Sequence, residues 1–66
     1  MSIVKVIELI ATSEKSWEDA AKNGVKEASK TIKNIKSAWV SDQKMMIDNN
    51  EIKAYRVILK ISFEIN

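Results

Sequence analysis

The sequence has no cysteine, no histidine and no proline, and Gly24 is the single glycine among its 66 residues. Without cysteine, the chain has no disulfide, no thiol nucleophile and no thiolate ligand for a metal ion. Without histidine, it lacks the usual general base at neutral pH and the commonest ligand for transition metals. The spacing of the remaining polar residues supports no pair of nucleophile and base. We therefore expect a protein that is not an enzyme.

The chain is also short and almost neutral, with 11 basic and 9 acidic side chains. A net charge of +2 does not indicate a nucleic-acid partner. Its apolar N-terminal run contains Lys5 and Glu8, which argues against a signal peptide or a membrane span, so we expect a cytoplasmic protein. A domain of this length buries only about 60% of the surface that its unfolded chain exposes. Small domains without disulfides or metals often gain stability by oligomerising, so we expect an assembly of identical chains.

One helix is predicted from Ser16 to Lys36. Apolar residues recur there at spacings of three and four, and Ser16 with Asp19 forms a capping pattern at the start. The opposite face carries a row of lysines, namely Lys22, Lys26, Lys30 and Lys33. This row would suit phosphates, but interrupting glutamates and the lack of exposed aromatic residues favour a solvated helix face over a nucleic-acid surface.

Three strands are predicted around this helix, at residues 3–10, 38–47 and 52–65. Asp48–Glu51 separates the last two strands and is typical of a hairpin turn; it offers oxygen ligands but lacks the spacing of an EF-hand loop. The order β-α-β-β predicts an α+β fold, in which one domain of residues 1–66 forms an antiparallel sheet. With the long third strand in the centre, the strand order is 1-3-2.

One helix covers only one face of such a sheet. The uncovered face is predicted to carry a set of mainly apolar residues, or their neighbours if the register slips by one: Ser37, Trp39, Met45, Ile47 and Ile58. Exposed apolar groups on a small domain indicate an interface with a protein or a ligand.

The whole chain resembles the dodecin family. The residues that carry the resemblance are, in order, Lys5–Ile10, Thr12–Ser13, Ser16–Ala20, Asp42–Gln43, Tyr55–Val57 and Lys60–Phe63. The resemblance implies a hollow homododecamer that stores or buffers a small ligand and does not act as an enzyme. The ligand that the resemblance mainly implies is riboflavin or FMN. Coenzyme A and a divalent cation are the alternative ligands that it implies.

Two positions differ from the flavin-binding members that the chain resembles. The family's stacking tryptophan after the helix aligns with Ser37, and its glutamine on the third strand aligns with Arg56. The chain thus resembles a subgroup that lacks the usual stacking tryptophan. Trp39, two residues beyond Ser37, would stack on a planar ligand or fill a subunit interface. Arg56, the only arginine, would bind a ligand or form a salt bridge between subunits.

Two functional hypotheses follow. The first is a ligand-binding module with a site between protomers, formed by Ser37, Trp39, Gln43 and Arg56. The second is a structural or divalent-metal-binding shell without flavin, in which carboxylates form rings on symmetry axes, with Glu8, Asp42 and Glu64 as candidate ligands. Neither hypothesis includes a nucleic acid or a membrane as partner.

Overall fold

The computed structural model describes residues 3–65, and their elements follow the predicted order β-α-β-β. Strand β1 spans Ile3–Ser13, helix α1 spans Trp17–Ala28, strand β2 spans Ile35–Asp48 and strand β3 spans Glu51–Ile65. Strand β3 lies between β1 and β2 and pairs antiparallel with both. The predicted α+β fold and its strand order 1-3-2 are therefore confirmed.

The hairpin between β2 and β3 is a tight turn closed by the pair Asp48 and Glu51. Its two central residues, Asn49 and Asn50, have φ angles of 54° and 63°. Positive φ at both central positions matches the twist of an antiparallel hairpin, and asparagine tolerates it better than most residues. The predicted turn is confirmed.

Helix α1 begins with the predicted serine cap. The Ser16 hydroxyl accepts a hydrogen bond of 3.0 Å from the backbone N–H of Asp19. The Asp19 carboxylate, which we expected to complete a capping box, accepts hydrogen bonds from Ser13 Oγ at 2.6 Å and from Asn23 Nδ2 at 3.1 Å. This cap therefore ties the helix to the end of β1.

The helix ends at Ala28, so the predicted extension to Lys36 is wrong. Beyond Ala28 the backbone makes short-range hydrogen bonds, and Asn34 turns the chain into β2 with a φ of 63°. The β-branched residues Thr31 and Ile32 favour this ending, because branching at Cβ lowers helix propensity. The apolar spacing that continues to Ile35 reflects the beginning of β2.

The core lies between α1 and the central strand. Val57, Leu59 and Ile61 of β3 are at most 2% exposed, and Ala20 of the helix packs in one cluster with Val57 and Leu59. Gly24 allows the close approach, since a Cβ added there would lie 2.5 Å from Leu59 Cδ1. The alternating apolar side of the third strand was thus predicted correctly.

A bulge in β2 decides which residues reach the uncovered face. The register shifts between Val40 and Asp42, and one extra residue moves the side chains from Asp42 to Met46 to the opposite face, up to a second register shift between Met46 and Ile47. Met45 is therefore on the helix side, opposite Tyr55, and Met46 takes its place on the uncovered face. The expectation for Met45 is wrong, and the alternative of a one-residue slip applies beyond the bulge.

We call the sheet face opposite α1 the open face. Ile10 is 63% exposed and Val4 is 54% exposed, so this face is apolar in part and has no helix over it. By strand register, the open face comprises Val4, Val6, Glu8, Ile10 and Thr12 of β1, Ser37, Trp39, Asp42, Lys44 and Met46 of β2, and Arg56, Ile58, Lys60, Ser62 and Glu64 of β3.

No helix within residues 3–65 is long and apolar enough to cross a bilayer.

Candidate functional site

Three of the four predicted ligand residues lie on the open face, but at different points along it. Ser37 and Trp39 are opposite Ser62 and Lys60 of β3. Arg56 is four residues from Lys60 along that strand, which corresponds to about 13 Å at the usual rise of 3.3 Å per residue. One protomer therefore does not bring Ser37 and Arg56 together, and a ligand that contacts both must be extended or held between chains.

Ser37 is engaged with a neighbouring strand. Its hydroxyl oxygen lies 2.5 Å from that of Ser62, which is largely buried. The two hydroxyls satisfy each other, because each can act as donor or acceptor. This hydrogen-bonded pair offers no flat apolar surface on which a planar ring could stack.

Trp39 offers such a surface and is 45% exposed. It also borders a groove of about 500 Å³ between α1 and β2, together with Val40, Ala21 and Val25. A second groove of about 440 Å³ lies on the other side of the helix, against Leu9 and other residues of β1. Both grooves exist because a single helix is narrower than the three-stranded sheet beneath it.

Gln43 is separated from the other predicted ligand residues. It lies beyond the bulge, opposite Val57, and therefore belongs to the helix side of the sheet. Its backbone N–H donates a 3.0 Å hydrogen bond to Asp42 Oδ1. Within one protomer, Gln43 does not share a face with Trp39 or Arg56.

The predicted metal ligands share the open face but do not converge. Glu8 is opposite Lys60, and Asp42 is opposite Ile58, two positions further along β3. Strand spacing puts the Cα atoms of Glu8 and Asp42 about 12 Å apart. Glu64 is four residues from Lys60 in the opposite direction along β3, and its Oε1 atom lies 3.9 Å from Lys36 Nζ. Across residues 3–65, no three acidic side chains are grouped so that they could hold a metal ion.

A positively charged row at the hairpin end of the open face was not singled out from the sequence. Thr12, Arg56 and Lys44 lie side by side on the three strands. Arg56 Nε donates a hydrogen bond of 3.3 Å to Thr12 Oγ1. The bulge in β2 sets the register that places Lys44 beside Arg56, and no local pattern in the sequence indicates that bulge.

The predicted row of lysines lies only partly on the helix, because α1 ends at Ala28, before Lys30 and Lys33. Lys22 lies 3.9 Å from Glu18, and Lys30 lies 2.9 Å from Glu27, with all four side chains well exposed. Such local ion pairs are typical of a solvated helix surface. The structure therefore agrees with the solvated interpretation of this row.

Comparison with known proteins identifies the family. The family model for dodecin matches residues 3–66. The chain belongs to the dodecin family. The resemblance expected from the sequence is thus confirmed, and it extends over nearly the whole chain.

Relatives of this dodecin include a protein named calcium dodecin from Mycobacterium tuberculosis. The two are 41% identical over 64 residues, which is 97% of this chain and 90% of that protein. The crystal structure of that calcium dodecin, described as calcium chelating with a novel calcium-binding site, has a TM-score of 0.86 at 38% identity and covers 98% and 93% of the two chains. A dodecin from Streptomyces coelicolor has a TM-score of 0.93 at 25% identity, with the same coverage of 98% and 93%.

Proposed function

We propose that this dodecin forms a homododecameric shell that binds divalent cations, calcium first, through carboxylates brought together between protomers. The observation that carries the proposal is the 41% identity with a relative named calcium dodecin, over 97% of this chain. The exposed apolar residues of the open face support the assembly, because such a surface favours burial against another chain.

The positions of the carboxylates support a site between chains. Calcium takes six to eight oxygen ligands. Within residues 3–65 of one protomer, no three acidic side chains are grouped closely enough to supply the charged part of such a set. Closed symmetry repeats every side chain around an axis, so one carboxylate per protomer can become a ring. Glu8 and Asp42 are exposed, and neither takes part in the ion pairs found among residues 3–65. They are the first candidates, and Glu64 beside Lys36 is the third.

Calcium titration of the metal-stripped protein by isothermal calorimetry tests this proposal. Because the number of charged ligands sets calcium affinity, we expect Glu8→Gln or Asp42→Asn to weaken binding by about 10-fold or more. Glu18→Gln is the matched control on the helix, where calcium affinity should stay within about twofold of the original.

Two outcomes would contradict different parts of the proposal. No heat of calcium binding at millimolar concentration would overturn the calcium function itself. Binding that persists in both variants of the open face, in assemblies of unchanged mass, would leave calcium binding in place and remove Glu8 and Asp42 as its ligands.

A second candidate function is the binding and storage of a small planar ligand at Trp39. The exposed indole favours it, since an indole offers a large surface for stacking. Riboflavin and FMN are the first ligands to titrate, and coenzyme A is the next. Quenching of both flavin and tryptophan fluorescence, lost in Trp39→Ala, would support this function. Unchanged flavin fluorescence in the presence of excess protein would exclude flavin, and an equally negative titration with coenzyme A would exclude this function.

A further inference from the structure

Helix α1 covers the two halves of its own side of the sheet unequally. Leu59 of β3 is paired with Leu9 of β1 on one side and with Val40 of β2 on the other. Leu9 is partly buried against the core, whereas Val40 is 41% exposed. The helix packs mainly on β1 and β3 and contacts β2 least. The helix side of β2 is therefore an apolar strip that this protomer leaves uncovered.

This uncovered strip borders the groove of about 500 Å³ between α1 and β2. The helix and the sheet line the groove with apolar side chains, namely Ala21, Val25, Ala38, Val40 and Leu59. Its volume lies within the range of sites that hold one small organic molecule. An apolar chain that enters such a groove leaves water, which is favourable.

The charges beside the two grooves of the helix differ in sign. Lys22 and Lys26, one helical turn apart, line the groove at β2. Lys22 lies 3.9 Å from Glu18, with both side chains exposed, and Lys26 belongs to none of the ion pairs found among residues 3–65. The groove at β1 is lined instead by Asn23 and Glu27. Only the groove at β2 therefore combines an apolar lining with a positive rim.

We propose that the groove between α1 and β2 binds a single-chain anionic amphiphile, a fatty carboxylate, with its chain on the apolar lining and its head group beside Lys22 and Lys26. Lysine suits this position, because its methylene stem covers apolar surface while its ammonium group stays in water. A cationic head group would be repelled by the same two lysines, and Glu27 would repel a carboxylate from the groove at β1. The site uses no metal ion and lies on the helix side of the sheet.

Calorimetric titration with decanoate, below its micelle concentration and in low-salt buffer containing EDTA, tests the proposal on the assembled protein. We expect saturable binding of decanoate. Decyltrimethylammonium, which has a chain of the same length, should bind at least about fivefold more weakly, because its head group has the opposite charge. Octanoate should bind several-fold more weakly than decanoate, since two fewer methylene groups leave water.

Variants of the rim and of the lining separate charge from apolar contact. Lys22→Gln combined with Lys26→Gln should lower decanoate affinity by about fivefold or more, because it removes both attractive charges. Lys5→Gln combined with Lys53→Gln removes the same charge from exposed positions outside the groove, and should change the affinity by less than about twofold. Val40→Ser should lower it several-fold at unchanged net charge, because it removes apolar contact area.

Three results would overturn the proposal. Equal affinities for decanoate and decyltrimethylammonium would show that the lysines do not recognise the head group. Equal losses in the two double variants would indicate diffuse charge attraction in place of a site. Absence of decanoate binding would exclude the ligand, and dissociation of the assembly in Val40→Lys would then assign the groove to a second copy of the chain.

Discussion

Gly24 is the residue that sets the distance between the helix and the sheet. A Cβ at this position would lie 2.5 Å from Leu59 Cδ1, 3.1 Å from Ala11 Cβ and 3.3 Å from Leu9 Cδ1. In Gly24→Ala, the gain of about 1 kcal/mol in helix propensity competes with overpacking, which costs about 1 to 3 kcal/mol. Since Leu59 is only 2% exposed and belongs to the core, we expect a net loss of about 1 kcal/mol in the free energy of unfolding. Urea unfolding at fixed protein concentration measures it, with the exposed Lys26→Ala as control. A stabilised Gly24→Ala would show that α1 can move away from β3.

At the scale of the elements, the start of α1 depends on its serine cap. Ser16→Ala removes the acceptor for the Asp19 N–H, and we expect it to cost about 1 kcal/mol of unfolding free energy. Ser29→Ala is the matched control at the other end, where the lost hydroxyl donates to the exposed carbonyl of Lys26. That carbonyl can bind water instead, so its cost should stay below about 0.5 kcal/mol. Urea titrations of both variants compare the two ends, and equal costs would contradict a specific role for the cap.

The elements also show how far the sequence predicts this structure. Strand β3 and the asparagine turn were predictable, because strict alternation and the preference of asparagine for positive φ are local signals. The end of α1 was not, because the apolar spacing continues through Ile32 into β2. The bulge after Val40 was not predictable either, since it depends on pairing with β3. It separates Gln43 from Trp39 and places Lys44 beside Arg56, so the composition of the candidate sites depends on it.

At the scale of the whole molecule, one protomer is extended and thin. Its radius of gyration is 13.6 Å, whereas a compact domain of 66 residues has one of about 11 Å. Its accessible surface is 5029 Å², compared with about 4,200 Å² for a compact monomer of this mass. A single helix leaves the open face and both grooves uncovered. An isolated protomer therefore exposes a large apolar surface to water and buries only a small core. Assembly with other copies would bury that surface.

A charge introduced on the open face tests whether this face mediates the assembly. Val6 lies on the open face opposite Ser62, and it is about half exposed. If this face packs against other protomers, Val6→Glu buries an unpaired carboxylate in the interface, which is strongly unfavourable. We expect sedimentation velocity at micromolar concentration to give a large assembly for the unaltered protein and smaller species for Val6→Glu. Lys22→Glu, on the solvated helix surface, should keep the full mass because its side chain stays in water. A monomeric unaltered protein would contradict the assembly, and an intact Val6→Glu assembly would mean that the protomers associate through the grooves beside α1 rather than through the open face.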